Sequence, residues 1–164
     1  MPERCAYIGL GANLQSPDAQ IRQALLEISR LPQSHLLAQS ALFRSPPMDG
    51  SAQPDYCNAV CAIRTSLEPL VLLDALLGLE RRHGRDRGKD RWGPRTLDLD
   101  LLHVQGVTSC QGRLRLPHPG VARRNFVLVP LAQIAADLQI PGVGDIGQLA
   151  AEIEQANLAP WPAS

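Results

Sequence analysis

The run TLDLDLLHV, residues 96–104, sets two carboxylates, Asp98 and Asp100, among leucines. Strand interiors disfavour aspartate, so the pair either faces water or holds something positive. Side chains alternate between the two faces of a strand. Leu97, Leu99 and Leu101 are therefore expected toward a core, with both acids on the opposite side. Two residues of strand rise put the two Cα atoms about 7 Å apart. Carboxylates at that spacing can share hard cations. Mg²⁺ suits such a site, because it takes one or two carboxylates, several waters and phosphate oxygens from a substrate. The pattern is short and common, and by itself it is better read as the solvated face of an amphipathic strand.

The neighbourhood adds cations. Arg85, Arg87, Lys89, Arg91 and Arg95 lie just upstream, and Arg123 and Arg124 downstream. Guanidinium groups match phosphate geometry with paired donors. A cation cluster beside an acid pair is explained by a nucleotide with Mg²⁺, or by a solvated loop whose arginines pair weakly with Asp86 and Asp90. No GxxxxGK[ST] and no GxGxxG follows a strand, so neither common nucleotide loop is present. Gly9 and Gly11 in YIGLGANL lack a third glycine, and close packing or a turn accounts for them.

These side chains need a scaffold. The 164 residues suit a single domain, 1–164, and hydrophobic and charged fractions of 45% and 20% are ordinary for a globular chain. Sixteen basic and sixteen acidic residues cancel, so no global field favours nucleic acid or an anionic membrane. No run is apolar enough to span a bilayer and no signal segment is seen, which points to the cytoplasm. Among four cysteines there is no CxxC pair. Cys57 and Cys61 share one face of a strand and read as buried free thiols rather than as a metal site.

The expected elements run strand 5–11, helix after Ser16 with Pro17 opening it, and strand 34–45. A long loop then leads to strand 56–66, a helix over 67–83 ending near Gly84, a basic loop, and strand 96–104. A short strand, a third helix and a small C-terminal helix complete the chain. Ile21, Leu25, Leu26 and Ile28 form the first helix's apolar stripe. Strand–helix–strand–strand–helix–strand is the split βαβ order. It predicts an α+β, ferredoxin-like antiparallel sheet with two helices packed on one face. Loops, C-terminal elements or a ligand must cover the other.

The run RWGPRTLDLDLL, residues 91–102, resembles the signature of the 6-hydroxymethyl-7,8-dihydropterin pyrophosphokinases of folate biosynthesis. The likeness continues through YIGLGANLQSP, FRSPPM, QPDYCNAV and LPHPGVARRNF, in order along nearly the whole chain. It implies transfer of a pyrophosphoryl group from ATP to the pterin hydroxymethyl oxygen, with release of AMP. It also implies that Asp98 and Asp100 bind two Mg²⁺ ions and that Arg85 and Arg95 engage the triphosphate during transfer. Arg87, Arg91, Trp92, His118 and Arg124 match other residues of the nucleotide site. Ser45, Pro46 and Met48 match a loop completing the pterin pocket, where Met48 replaces a usual leucine. Asn58 matches a hydrogen-bonding partner of the pterin, and Tyr56 and Phe126 match the rings flanking it. Glu80 matches an acid near the substrates. One departure is Pro119, where relatives often carry tyrosine; proline offers no hydroxyl there.

Such a transfer needs no covalent nucleophile, because positioning and electrostatics dominate phosphoryl transfer. The resemblance further implies a monomer without nucleic-acid or membrane partners. Two other classes fit the fold. An RNA-binding module would need stacking aromatics, yet only 4% of residues are aromatic. A regulatory sensor that has lost the chemistry would not need an intact acid pair and arginines.

Overall fold

The computed structural model describes residues 2–14, 16–48, 50–84 and 97–162. In chain order the elements are β1 (Arg4–Ala12), α1 (Pro17–Ser29), β2 (Ser34–Gln39), β3 (Phe43–Ser45), β4 (Tyr56–Thr65) and α2 (Pro69–Arg82). They continue with β5 (Asp98–Val104), β6 (Ser109–Gln111), β7 (Leu114–Leu116), α3 (Asn125–Ala135), β8 (Gln139–Ile140), β9 (Gly144–Asp145), α4 (Ile146–Glu152) and β10 (Ala159–Pro160). The main sheet runs β10-β3-β4-β1-β5, with β2 also paired to β4, and every pairing is antiparallel. The four principal strands thus interleave as the split βαβ pattern requires. The α+β, ferredoxin-like architecture is the one expected.

Alternation builds two cores. On one face Ile8, Leu10, Cys57, Cys61, Leu99 and Leu101 meet Ile21, Leu25 and Ile28 of α1 and Leu72, Leu76 and Leu79 of α2. On the other, Val60 and Leu102 meet Val127, Leu128 and Leu131 of α3 with Ile146 and Ala150 of α4. Helices therefore lie on both faces, and C-terminal elements supply the second layer. Cys57 and Cys61 are buried free thiols, as expected.

Several local expectations are corrected. Leu26 is 51% exposed, and Ala24 takes its place in the stripe because it lies one turn from Ile21 and Ile28. Ser16 has φ 58° and its side chain caps nothing; its carbonyl accepts from Gln20 N at 3.1 Å instead. The strand expected over 34–45 breaks between Gln39 and Phe43, where Ser40 Oγ accepts from Val60 N and Ala41 N donates to Gln133. The second helix begins at Pro69, whose fixed φ suits a first turn. It ends before Gly84, at φ 86°. In β5 the pairing skips Leu102, since Tyr7 faces His103 while Ile8 faces Leu101. This bulge turns Leu102 and His103 to the same side.

Candidate active site

Asp98 and Asp100 project from β5 away from Leu97, Leu99 and Leu101, all three of which are buried in the first core. The register then builds a row across the sheet. Asp98 pairs with Gly11 of β1, Gly11 with Asn58 of β4, and Asn58 with Phe43 of β3. One step along, Asp100 pairs with Gly9 and Gly9 with Val60. Gly9 and Gly11 leave this face of β1 without side chains between the acids and Asn58. A Cβ at Gly9 would touch the Leu102 side chain at 3.4 Å, and one at Gly11 would lie 3.6 Å from Asn58 Oδ1 and 3.8 Å from the Tyr56 ring. Gly9 is thus explained by packing, while Gly11 forms a bare floor bordered by the Asn58 carbonyl and Tyr56.

Asn58 is 4% exposed. Its Nδ2 donates to Ser45 Oγ at 2.7 Å, which fixes the donor end and leaves the carbonyl end beside Gly11. Ser45 is itself buried, so it orients Asn58 rather than offering its hydroxyl outward. Pro46 is exposed and Met48 is 69% exposed on the loop that follows. Asn13 anchors the far side of that loop by donating to Gln53 Oε1 and Pro54 O.

Beyond the row, Asp100 meets two groups from the segment after β7. His118 Nε2 stands 3.8 Å from Asp100 Oδ1, and Arg124 Nη1 stands 4.0 Å from Asp100 Oδ2. His118 is held twice: its backbone N donates to Leu102 O at 2.8 Å, and its Nδ1 accepts from Gly120 N at 2.9 Å. That fixes Nδ1 as the acceptor, so Nε2 carries the proton on the side facing Asp100. Burial holds the imidazole below its ordinary pKa, with Asp100 opposing and Arg124 reinforcing. The Arg124 guanidinium also lies 6.0 Å over the Phe126 ring, at the start of α3. One arginine therefore joins the acid end to the aromatic end.

Glu80 approaches the acid pair from the α2 side of the sheet. It is 1% exposed near the end of α2, and its Oε2 accepts from Leu99 N at 2.7 Å. That N–H belongs to the residue between the two aspartates, on a strand at the edge of the sheet. Through that bond Glu80 braces the strand behind the acids.

The structure gathers Asp98, Asp100, His118, Arg124, Tyr56, Asn58 and Phe126 around one sheet face. Arg85, Arg87, Arg91, Trp92 and Arg95 lie outside the described residues. Asn13 and Gly120 are additions that sequence reading missed. An asparagine after a strand looks like an ordinary turn residue, and glycine after proline likewise. Among the described residues no cluster of three or more His, Cys, Asp or Glu could hold a metal. Two partly exposed carboxylates are a donor set that fits Mg²⁺ completed by water and phosphate oxygens.

Residues 7–136 match the family described as 7,8-dihydro-6-hydroxymethylpterin-pyrophosphokinase (HPPK). The chain belongs to this family. Two HPPK relatives carry the name 2-amino-4-hydroxy-6-hydroxymethyldihydropteridine pyrophosphokinase. The Haemophilus influenzae protein is 46% identical over 144 residues, 88% of this chain and 89% of its own. The Pseudomonas aeruginosa protein is 47% identical over 135 residues, 82% and 83% respectively. In fold the chain is similar to wild-type Plasmodium falciparum HPPK-DHPS crystallised with pteroate, with a TM-score of 0.74 at 12% identity. That match covers 92% of this chain and 42% of the Plasmodium chain. The likeness is one of fold, the α+β architecture described above.

Proposed function

We propose that this HPPK works on the open face of β1, β4 and β5, with the metal and nucleotide at the Asp98–Asp100 end and the pterin at the Asn58 end. The reaction is transfer of pyrophosphate from ATP to the hydroxymethyl group of 6-hydroxymethyl-7,8-dihydropterin, giving AMP and the pterin pyrophosphate in folate biosynthesis. The observation that carries the placement is the register row Asp98–Gly11–Asn58. It puts the acid pair and the buried amide on one face with only glycine between them.

Asp98 and Asp100 would hold two Mg²⁺ ions, which supply charge neutralisation to the triphosphate when bound. The chain's own side chains do the rest. Asn58 presents a carbonyl whose orientation Ser45 fixes, suited to N–H donors on the pterin edge. Tyr56 and Phe126 offer ring faces to a flat heterocycle, with Pro46 and Met48 on the neighbouring loop. Arg124 and the proton-bearing Nε2 of His118 offer donors to phosphate oxygens beside Asp100. Arg85, Arg87, Arg91, Trp92 and Arg95 enter on their sequence match alone: Arg85 and Arg95 act on the transferring group, the others on the nucleotide. No residue need attack covalently.

The same reading makes residues 1–164 one pyrophosphokinase domain, acting as a cytoplasmic monomer without a nucleic-acid partner. A formal net charge of zero supports the absence of a nucleic-acid partner. No helix among the described residues is long and apolar enough to cross a membrane. Incubation with ATP, Mg²⁺ and the hydroxymethyl dihydropterin tests the whole. AMP is expected as the nucleotide product, and formation of ADP instead would refute it.

A further inference from the structure

We infer that Gly120 is a positioning residue, whose missing side chain seats Arg124 between Asp100 and Phe126. The inference rests on Arg124 belonging to the nucleotide site. Successive turns fold this segment back on itself, with Val121 N bonded to His118 O at 3.2 Å and Arg123 N to Gly120 O at 3.2 Å. Arg124 then lies directly over the Gly120 backbone. A Cβ built there falls 2.6 Å from Arg124 Nε, 2.8 Å from Cζ and 3.0 Å from Cδ. At Gly120 the close neighbour is a charged side chain of the site, whereas at Gly147 it is the Ala136 carbonyl.

The offending atoms are the far end of a flexible side chain. An alanine at 120 would therefore push Arg124 aside and leave the core undisturbed. Gly120 does not have a positive φ, so alanine meets no left-handed strain. Alanine also keeps the N–H that donates to His118 Nδ1 at 2.9 Å. Gly120→Ala is thus a selective displacement of one guanidinium. The geometry leaves His118, Asp100 and the α3 start in place.

Melting temperature, steady-state kinetics and the ¹⁵N-arginine side-chain spectrum of Gly120→Ala, Arg124→Ala and the double variant provide the test. Gly120→Ala is expected to melt like the parent and to lose roughly ten- to a hundredfold in kcat/KM for ATP, the worth of one charged hydrogen bond. In the Arg124→Ala background the same substitution should change kcat/KM by less than about twofold, because its effect passes through the missing side chain. The Arg124 Nε–H signal, assigned by its absence in Arg124→Ala, should move in Gly120→Ala. An unmoved signal overturns the inference, as does an equal kinetic loss in both backgrounds or a comparable drop in melting temperature. If Arg124→Ala turns over like the parent while the signal still moves, the seating stands and the nucleotide-site assignment of Arg124 fails instead.

Discussion

Glu80→Ala separates the support of the acids from the acids themselves. The carboxylate is 1% exposed, and its Oε2 takes the Leu99 N–H at 2.7 Å. The substitution leaves that buried donor unmatched on an edge strand. An unsatisfied buried group costs about 1–3 kcal/mol, and a hydrogen bond to a charged acceptor sits in the upper half of that range. Relief of the buried charge offsets part of it. A net loss of about 1.5–2.5 kcal/mol follows, or roughly 3–10 °C in melting temperature at this chain length. Glu80→Gln keeps an acceptor and should lose less than half as much. Calorimetric melting combined with single-turnover AMP formation is the assay. Because the bond pins the residue between Asp98 and Asp100, the Mg²⁺ concentration needed for half-maximal rate should rise in Glu80→Ala and largely recover in Glu80→Gln. If Glu80→Ala melts like the parent yet is as inactive as an Asp98 variant, the carboxylate acts on ligand rather than on the strand, and the clamp is wrong.

Asp98→Ala and Asp100→Ala should each abolish AMP formation and retain the parent's circular dichroism, since both face away from the leucine core; appreciable turnover in either would remove the metal site. Asn58→Ala and Phe126→Ala should weaken pterin binding and spare ATP, with the ring worth about 0.5–1.5 kcal/mol beyond its area; calorimetry with a non-hydrolysable ATP analogue and Mg²⁺ decides, and parent-like pterin binding in both would displace the pocket. Burial pushes the Cys57 and Cys61 thiols up to about 12, so at pH 8 a disulfide reagent should modify exposed Cys110 at once and these two only on unfolding. Burial also holds His103 below its ordinary 6.5. The unfolded chain then binds the proton more readily, so stability is whole above pH 6.5 and falls as pH drops below it. His103→Phe keeps the stack on Tyr7 and should flatten the melting curve between pH 5 and 7; an unchanged slope would show that His103 does not drive it.

The face carrying the acids was legible in sequence because leucine and aspartate alternate in β5, and a slip of one residue would bury both charges. The order of strands and helices followed from where the apolar period changes from two to three or four. What escaped was set by contacts between distant segments. Alternation cannot reveal that Leu102 is bulged, since only the partner strand defines the extra residue. Nor can it tell that α3 and α4, rather than loops, cover the second face, because their stripes match either layer. Ser16 is a residue type that caps helices, but here its φ is positive and its side chain caps nothing. Gly120 and Asn13 act through neighbours that are close only after folding, so their types gave no signal.

The bare glycine at position 11 makes β1 a spacer of fixed width. Asn58 and Asp98 stand one strand to either side of it, and two inter-strand gaps of 4.7–4.9 Å set them about 9–10 Å apart. Backbone hydrogen bonds, not side-chain rotamers, maintain that span. On the proposed placement, a heterocycle gripped at the amide would present its reacting arm at a distance the sheet has already measured. Shorter or longer arms would then bind as well and react poorly, and the ladder itself would act as a gauge for arm length. Selection on the rings and the loop can change which heterocycle is held without altering that gauge. Recognition and chemistry can thus diverge independently across one strand.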